Sequence, residues 1–202
     1  MAGPSFVLGQ KSVTSQRPCG TQLSATDTAF GDGIVAHTPF GDPICKQLQK
    51  TLIEATQSLD IPHHVVGTYV CMEGPQFSTL AESLTYKGLG YSVIGMTNFT
   101  EAKLAREAEI CYATVAMVTD FDCWHPDHDA VTVSDIIRVL TENAEKGAQL
   151  VAQLAREFPR EHEPCPIGSD RALDTAIITS PEARDPALLK KLDAVAGRVL
   201  NA

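Results

Sequence analysis

Residues 64–118 read HVVGTYVCMEGPQFSTLAESLTYKGLGYSVIGMTNFTEAKLAREAEICYATVAMV, and the change of hydrophobic period along them decides the fold. His64 to Cys71 is β-branched and aromatic, the composition of a strand, and Glu73-Gly74-Pro75 stops it sharply. Thr79 with Glu82 three positions on has the spacing of a capping box and opens a helix that closes at Gly88 and Gly90. Tyr91 to Met96 is the next short strand. Asn98 with Glu101 repeats the capping-box spacing and predicts a helix through Ala108, after which Ile110 to Val118 is a continuous apolar run of buried-strand type. Strand, helix, strand, helix, strand implies a three-layer α/β domain with ligands near the strand ends.

On the N-terminal side, Asp42-Pro43 has the form of a helix start, with Ile44, Leu48, Leu52 and Ala55 on one face and an end near Leu59. Residues 1–29 are rich in Ser, Thr, Gln, Gly and Pro without a sustained apolar period, and are expected to be poorly ordered and outside the core. On the C-terminal side, Val133 to Phe158 predicts a long amphipathic helix whose inward residues are Ile136, Ile137, Leu140, Ala144, Ala148, Val151 and Leu154. A polar connection from Pro159 to Asp170 follows, then a short strand over Leu173 to Thr179 and a helix over Pro186 to Leu200. The domain is therefore expected over residues 30–202.

With 202 residues, 44% of them apolar and 20% charged, the chain has enough material for one folded core. A net charge of -9 gives no basic stripe, which argues against a nucleic-acid partner. No window approaches the roughly 20 apolar residues that cross a bilayer, so no membrane span is expected. Six cysteines without C-x-x-C or zinc-like spacing, and no signal-like N-terminus, predict a reduced cytoplasmic protein with no metal site.

Three stretches could carry chemistry. Met96-Thr97-Asn98 lies between a strand and a helix N-terminus, where backbone N–H groups and the helix dipole favour an anion such as phosphate, or where Thr97 and Asn98 simply cap the helix. Asp120-Phe121-Asp122-Cys123-Trp124 puts two carboxylates at a strand end. Such a pair titrates in two steps, so one carboxyl can hold a proton and match a purine N7 while the other accepts from a 6-amino group; a solvated turn is the plainer alternative. Glu73-Gly74-Pro75-Gln76-Phe77-Ser78-Thr79 offers Phe77 for stacking and Ser78 as a neutral hydrogen-bonding group, unless Phe77 is core. A rival reading takes Asp120, Asp122, His125, Asp127, His128 and Asp129 as ligands of a divalent ion in a D-x-D glycosyltransferase.

Together these stretches resemble the trimeric purine nucleoside phosphorylase and 5'-methylthioadenosine phosphorylase family. The resemblance rests on residues 73–79, Ala81-Glu82-Ser83, Gly95-Met96-Thr97-Asn98, Glu101, Leu104-Ala105-Arg106-Glu107, Cys111-Tyr112-Ala113 and Thr119-Asp120-Phe121-Asp122-Cys123-Trp124, in that order, and runs from about Phe30 to the C-terminus. It implies a phosphorylase-like α/β fold with a mixed central sheet. Members acting on 6-oxopurines carry glutamate where this chain has Ser78 and asparagine where it has Asp120, so the resemblance implies a 6-aminopurine. It further implies Phe77 stacking on the nucleoside, Met96 under the ribose, Thr97 on phosphate, and Asp120 with Asp122 on N7 and the amino group. Phosphate would attack C1' as adenine leaves, with no metal or organic cofactor.

His37, in Val35-Ala36-His37-Thr38-Pro39-Phe40, resembles the segment that reaches a neighbouring subunit's site, which implies a homotrimer. Family members begin with roughly a hundred more residues, including a glycine-containing phosphate turn and an Arg-His pair; this chain has no Arg-His dipeptide. The expectation is a sheet lacking its N-terminal strands and impaired phosphorolysis. A non-catalytic remnant that binds adenine nucleosides or joins an intact subunit is the alternative.

Overall fold

The computed structural model describes residues 5–8, 10–14, 28–65, 67–126 and 132–201. Its strands are β1 (Ser5–Leu8), β2 (Gln10–Thr14), β3 (His63–His64), β4 (Gly67–Cys71), β5 (Val93–Gly95) and β6 (Val115–Val118). The helices are α1 (Lys46–Ser58), α2 (Leu80–Gly88), α3 (Asn98–Glu107), α4 (Val133–Glu157) and α5 (Pro186–Leu200). Strands pair in two ladders, a mixed one in the order β3-β1-β6 and a parallel one in the order β2-β4-β5. The fold is the mixed α/β architecture that the alternation of periods predicts.

The N-terminal expectation needs correction. β1 is the middle strand of its ladder, and β2 pairs with β4 from Gln10 through Thr14. Side chains alternate along β1 with the strand period of two. Phe6 and Leu8 pack with Leu52, Ala55, Ile61 and Leu150 of the α1 and α4 side, and Val7 packs with Tyr69, Cys71 and Ala116 on the other. Phe99 of α3 flanks that second cluster, so helices cover both faces. Ser5 to Leu8 is too short a run for periodicity to reveal among polar neighbours, and only pairing partners far along the chain make it core. Residues 1–4, 9 and 15–27 of the segment expected to be poorly ordered, and residues 127–131, lie outside the described residues.

Other boundaries shift for identifiable reasons. Helix α1 begins at Lys46 rather than Pro43, because the backbone before it bonds elsewhere: Arg106 donates to the carbonyls of Pro39 and Asp42, and Cys45 N–H donates to Tyr112 O at 2.8 Å. The strand expected over Ile110 to Val118 is confined to β6, which has one partner among the described residues and leaves Met117 exposed. Helix α4 buries Val139, Asn143 and Leu150, while Ile137, Leu140 and Val151 of the predicted inward face are exposed. The helix carries apolar residues on two stripes, and sequence period alone does not choose between them.

Leu173 to Thr179 is not a strand. A single 3-10 turn at Ser169–Arg171 leads into it, and only the Ala36 to Ile177 bridge is β-like. Leu173 and Ala176 instead join Phe30, Ile34, Leu192, Ala196 and Leu200 in a separate cluster beneath α5. Glu109 ties this cluster to the end of α3, accepting from Leu173 N–H at 3.0 Å and from Arg198 of α5.

Candidate functional site

The chain leaves β4 at Cys71 and turns through Glu73 to Thr79 into α2. Gly74 has φ 68°, a conformation that favours glycine, and the Met96 methyl lies in the space a Cβ there would take. Gly95 has a parallel role: its missing Cβ is the space occupied by the Tyr69 phenol. The capping box predicted for α2 is formed, with Thr79 N–H donating to Glu82 at 2.8 Å and Thr79 Oγ1 accepting from Glu82 N–H. The Thr79 N–H and the Thr79 hydroxyl both donate to the exposed Glu82 carboxyl and hold it below its ordinary value. The cap fixes where Phe77 and Ser78 emerge.

From β6 the chain enters Thr119 to Trp124. Asp122 is the hub of that turn: its Oδ2 accepts a short hydrogen bond from Ser83 of α2 and a longer one from Ser78 Oγ at 3.4 Å, and its Oδ1 accepts from Cys123 N–H at 2.8 Å. Cys123 Sγ lies 3.8 Å from Ser78 O, a second contact between the same two turns. Asp120, half-buried, accepts from the Thr119 hydroxyl at 2.7 Å. Beyond it Phe121 and His125 stack 4.2 Å apart at 9°, and Lys87 of α2 sits 3.3 Å from the Trp124 ring centre.

The third stretch completes the cluster. Met96 touches Gly74, and Thr97, next to it, is exposed and makes no capping bond to α3. The capping box expected from Asn98 is not formed. Asn98 is buried and its Oδ1 accepts from Tyr112 at 3.0 Å and Thr114 at 2.5 Å. The α3 N-terminus is thus braced from below, and Thr97 faces outward at the positive end of the helix dipole. Burial pushes the Tyr112 phenol up to about 12, keeping it a donor at neutral pH.

Phe77, Ser78, Met96, Asp122 and their sequence neighbours Thr97 and Asp120 are therefore gathered by contacts between three turns at the ends of β4, β5 and β6. Phe77 is 83% exposed, which rules out its reading as a core residue. His37 is exposed and is held by its backbone to Ala176, with no contact to the three turns among the bonds of the described residues. Asp120, Asp122 and His125 do not converge as a metal-ligand set among the described residues. Asp127, His128 and Asp129, the rest of the D-x-D reading, lie outside them.

A family model described as "Phosphorylase superfamily" matches residues 7–156. The chain belongs to the phosphorylase superfamily. It is 74% identical over 172 residues to the S-methyl-5'-thioadenosine phosphorylase of Bradyrhizobium diazoefficiens, covering 85% of this chain and 59% of the relative. It is 58% identical over 172 residues to the protein of the same name from Cereibacter sphaeroides, with the same coverage. Among solved structures, a methylthioadenosine phosphorylase from an antarctic soil metagenomic library superposes with a TM-score of 0.77 at 40% identity, covering 96% of this chain and 65% of that one. A mutant adenosine/methylthioadenosine phosphorylase from Schistosoma mansoni in complex with tubercidin gives 0.71 at 25% identity, covering 85% and 68%. This superfamily member thus spans about three-fifths of the length of the curated relatives it matches.

Two residues of this superfamily member hold the turns together without being evident from the sequence. Ser83, within the Ala81-Glu82-Ser83 motif, is buried and donates to Asp122. No sequence signal marks it, since only the structure shows that it is the residue α2 buries. The spacing of Asn98 to Glu101 imitates a cap. Its true partners, Tyr112 and Thr114, come from beyond the helix.

Proposed function

We propose that this phosphorylase-superfamily chain carries the base and ribose half of a site for phosphorolysis of S-methyl-5'-thioadenosine to adenine and 5-methylthioribose 1-phosphate. The observation that carries the reading is the junction of Ser78 with Asp122. A hydroxyl and a pair of carboxyls stand at the base position, a set suited to a 6-amino donor and an N7 acceptor on one purine edge. Three donors already point at Asp122, which casts it as the acceptor for the 6-amino group and leaves Asp120 to give N7 a proton or a strong hydrogen bond. Phe77 stacks on the nucleoside, Met96 lies under the ribose, and Thr97 with the α3 N-terminus contacts phosphate. As C1'–N9 breaks, its electron pair leaves with the purine, which takes the proton at N7, and an anionic phosphate oxygen gives an electron pair to C1' of the ribosyl cation-like state.

The chemistry invoked uses inorganic phosphate as co-substrate and no organic cofactor. The reaction belongs to purine and methionine salvage, and the thiols free among the described residues fit a cytoplasmic setting. The exposed His37 completes a neighbour's site in a homotrimer. The test is adenine release from methylthioadenosine with and without phosphate. Ser78→Glu with Asp120→Asn is expected to move kcat/KM toward methylthioinosine by about 100-fold or more, as unpaired buried polar groups dictate. Phosphate-independent release, or an unchanged ratio in the double variant, would count against the assignment.

A further inference from the structure

Three of the six cysteines, unrelated by spacing in the sequence, meet in space. The Sγ atoms of Cys45, Cys111 and Cys165 all lie within 4.8 Å of one another, and Cys165 Sγ is 3.5 Å from Cys45 Sγ. They come from three parts of the fold: Cys45 is the N-cap of α1, Cys111 follows α3, and Cys165 follows α4. The backbone fixes two of them. Cys45 N–H donates to Tyr112 O at 2.8 Å, and Cys165 is held in a turn by Gly168 N–H to its carbonyl and by its own N–H to Asp170 at 3.1 Å. Cys45 and Cys165 are buried, whereas Cys111 is half-buried and opens the cluster to solvent from its side.

We propose that Cys45, Cys111 and Cys165 form a three-sulfur site for copper(I). Sulfurs no more than 4.8 Å apart leave a central point about 2.8 Å or less from each, and a small contraction reaches the metal–thiolate distance of about 2.3 Å. The donor set is all sulfur, with no histidine or carboxylate of the described residues joining it. Soft thiolates select Cu(I) or Zn(II), and structural zinc takes four protein ligands where this site supplies three. Binding releases the thiol protons to solvent and leaves a complex of net negative charge. The buried Arg106 guanidinium, close enough to all three sulfurs to sense their charge, offsets part of it and is itself fixed by the carbonyls of Pro39 and Asp42. The ion would clamp the α1 N-terminus, the entry to β6 and the segment leading to the Leu173 cluster, sharing no residue with the Ser78–Asp122 site.

The test uses the whole reduced chain under anaerobic conditions, titrated with Cu(I) against the chelator bicinchoninate. One Cu(I) per chain with three sulfurs and no lighter neighbour in X-ray absorption is expected. Cys45→Ser, Cys111→Ser and Cys165→Ser should each weaken binding by about 100-fold or more, beyond the usual loss for a supporting residue, and Cys123→Ser should leave it unchanged. Should a serine variant fail to fold, alkylation of the wild-type chain serves instead: Cu(I) should protect these three thiols and not Cys123. Retention of Cu(I) by the triple variant, displacement of Cu(I) by equimolar Zn(II), or conversion of Cys45 and Cys165 to a disulfide in place of metal uptake would each overturn the proposal.

Discussion

Phe6→Ala is the sharpest test of the architecture, because it asks whether a strand embedded in an unpromising N-terminal segment is truly central. Phe6 is fully buried, and its backbone pairs with His63 on one side and Met117 on the other. Its ring packs among Leu8, Leu52, Ala55, Ile61 and Leu150, joining one strand to two helices. Burying such a side chain contributes about 1.5–3 kcal/mol by transfer from water alone. Truncation also leaves a hole that a cluster anchored at three elements fills poorly, bringing the usual cost of Phe→Ala to roughly 3–5 kcal/mol. In a chain of this length 1 kcal/mol lowers Tm by about 2–4 °C, so a fall of roughly 6–20 °C is expected. Urea unfolding followed both by far-UV circular dichroism and by the fluorescence of Trp124, the one tryptophan, should give a lower midpoint with an unchanged slope. Ile137→Ala, at an exposed position of α4, is the control and should stay within about 0.5 kcal/mol. If Phe6→Ala costs no more than the control, β1 is not part of the sheet and the two-ladder description is wrong.

Two further outcomes follow from single contacts. Ser83→Ala removes one of three donors to Asp122, and a hydrogen bond to a charged group is worth about 1.5–3 kcal/mol; adenine affinity by calorimetry should fall by about 10- to 100-fold, and equal affinity would show that Ser83 does not position Asp122. Glu109 is held below its ordinary 4.5 first by the hydrogen bond from Arg198, so its contribution is present above that pH and is lost as pH falls through the folded value. Stability measured from pH 6 down to about 3 should therefore decline less steeply in Glu109→Gln than in the parent, and parallel curves would remove Glu109 from the acid response.

Where local chemistry decides, the sequence was enough. The α2 cap is written in Thr79 and Glu82, and the stop after β4 in Gly74 and Pro75. The C-terminal helix spans Pro186 to Leu200 as expected, and the structure adds Asp185 as its cap, accepting from Ala187 N–H at 2.7 Å. Where distant partners decide, it was not. Phe6 and Leu8 are core because β3 and β6 lie on either side of them, and the face α4 presents is set by what it meets. Leu173 and Ala176 look like strand residues but meet α5 instead of a ladder.

The site divides along the same line. The chemistry-bearing types at Ser78, Thr97, Asp120 and Asp122 were visible because each stands where an apolar element ends. Their convergence was not, since it depends on Met96 filling the place of an absent Gly74 side chain and on Cys123 reaching the Ser78 carbonyl. Ser83 and Asn98 were harder still: both are small polar residues on helices, and only burial distinguishes a positioning residue from a solvated one. A buried serine with a carboxylate partner costs little only while that partner stays in place, which couples α2 to the Asp122 turn. Displacing the turn would leave Ser83 unsatisfied, so the Asp122 turn and the start of α2 should loosen together rather than separately.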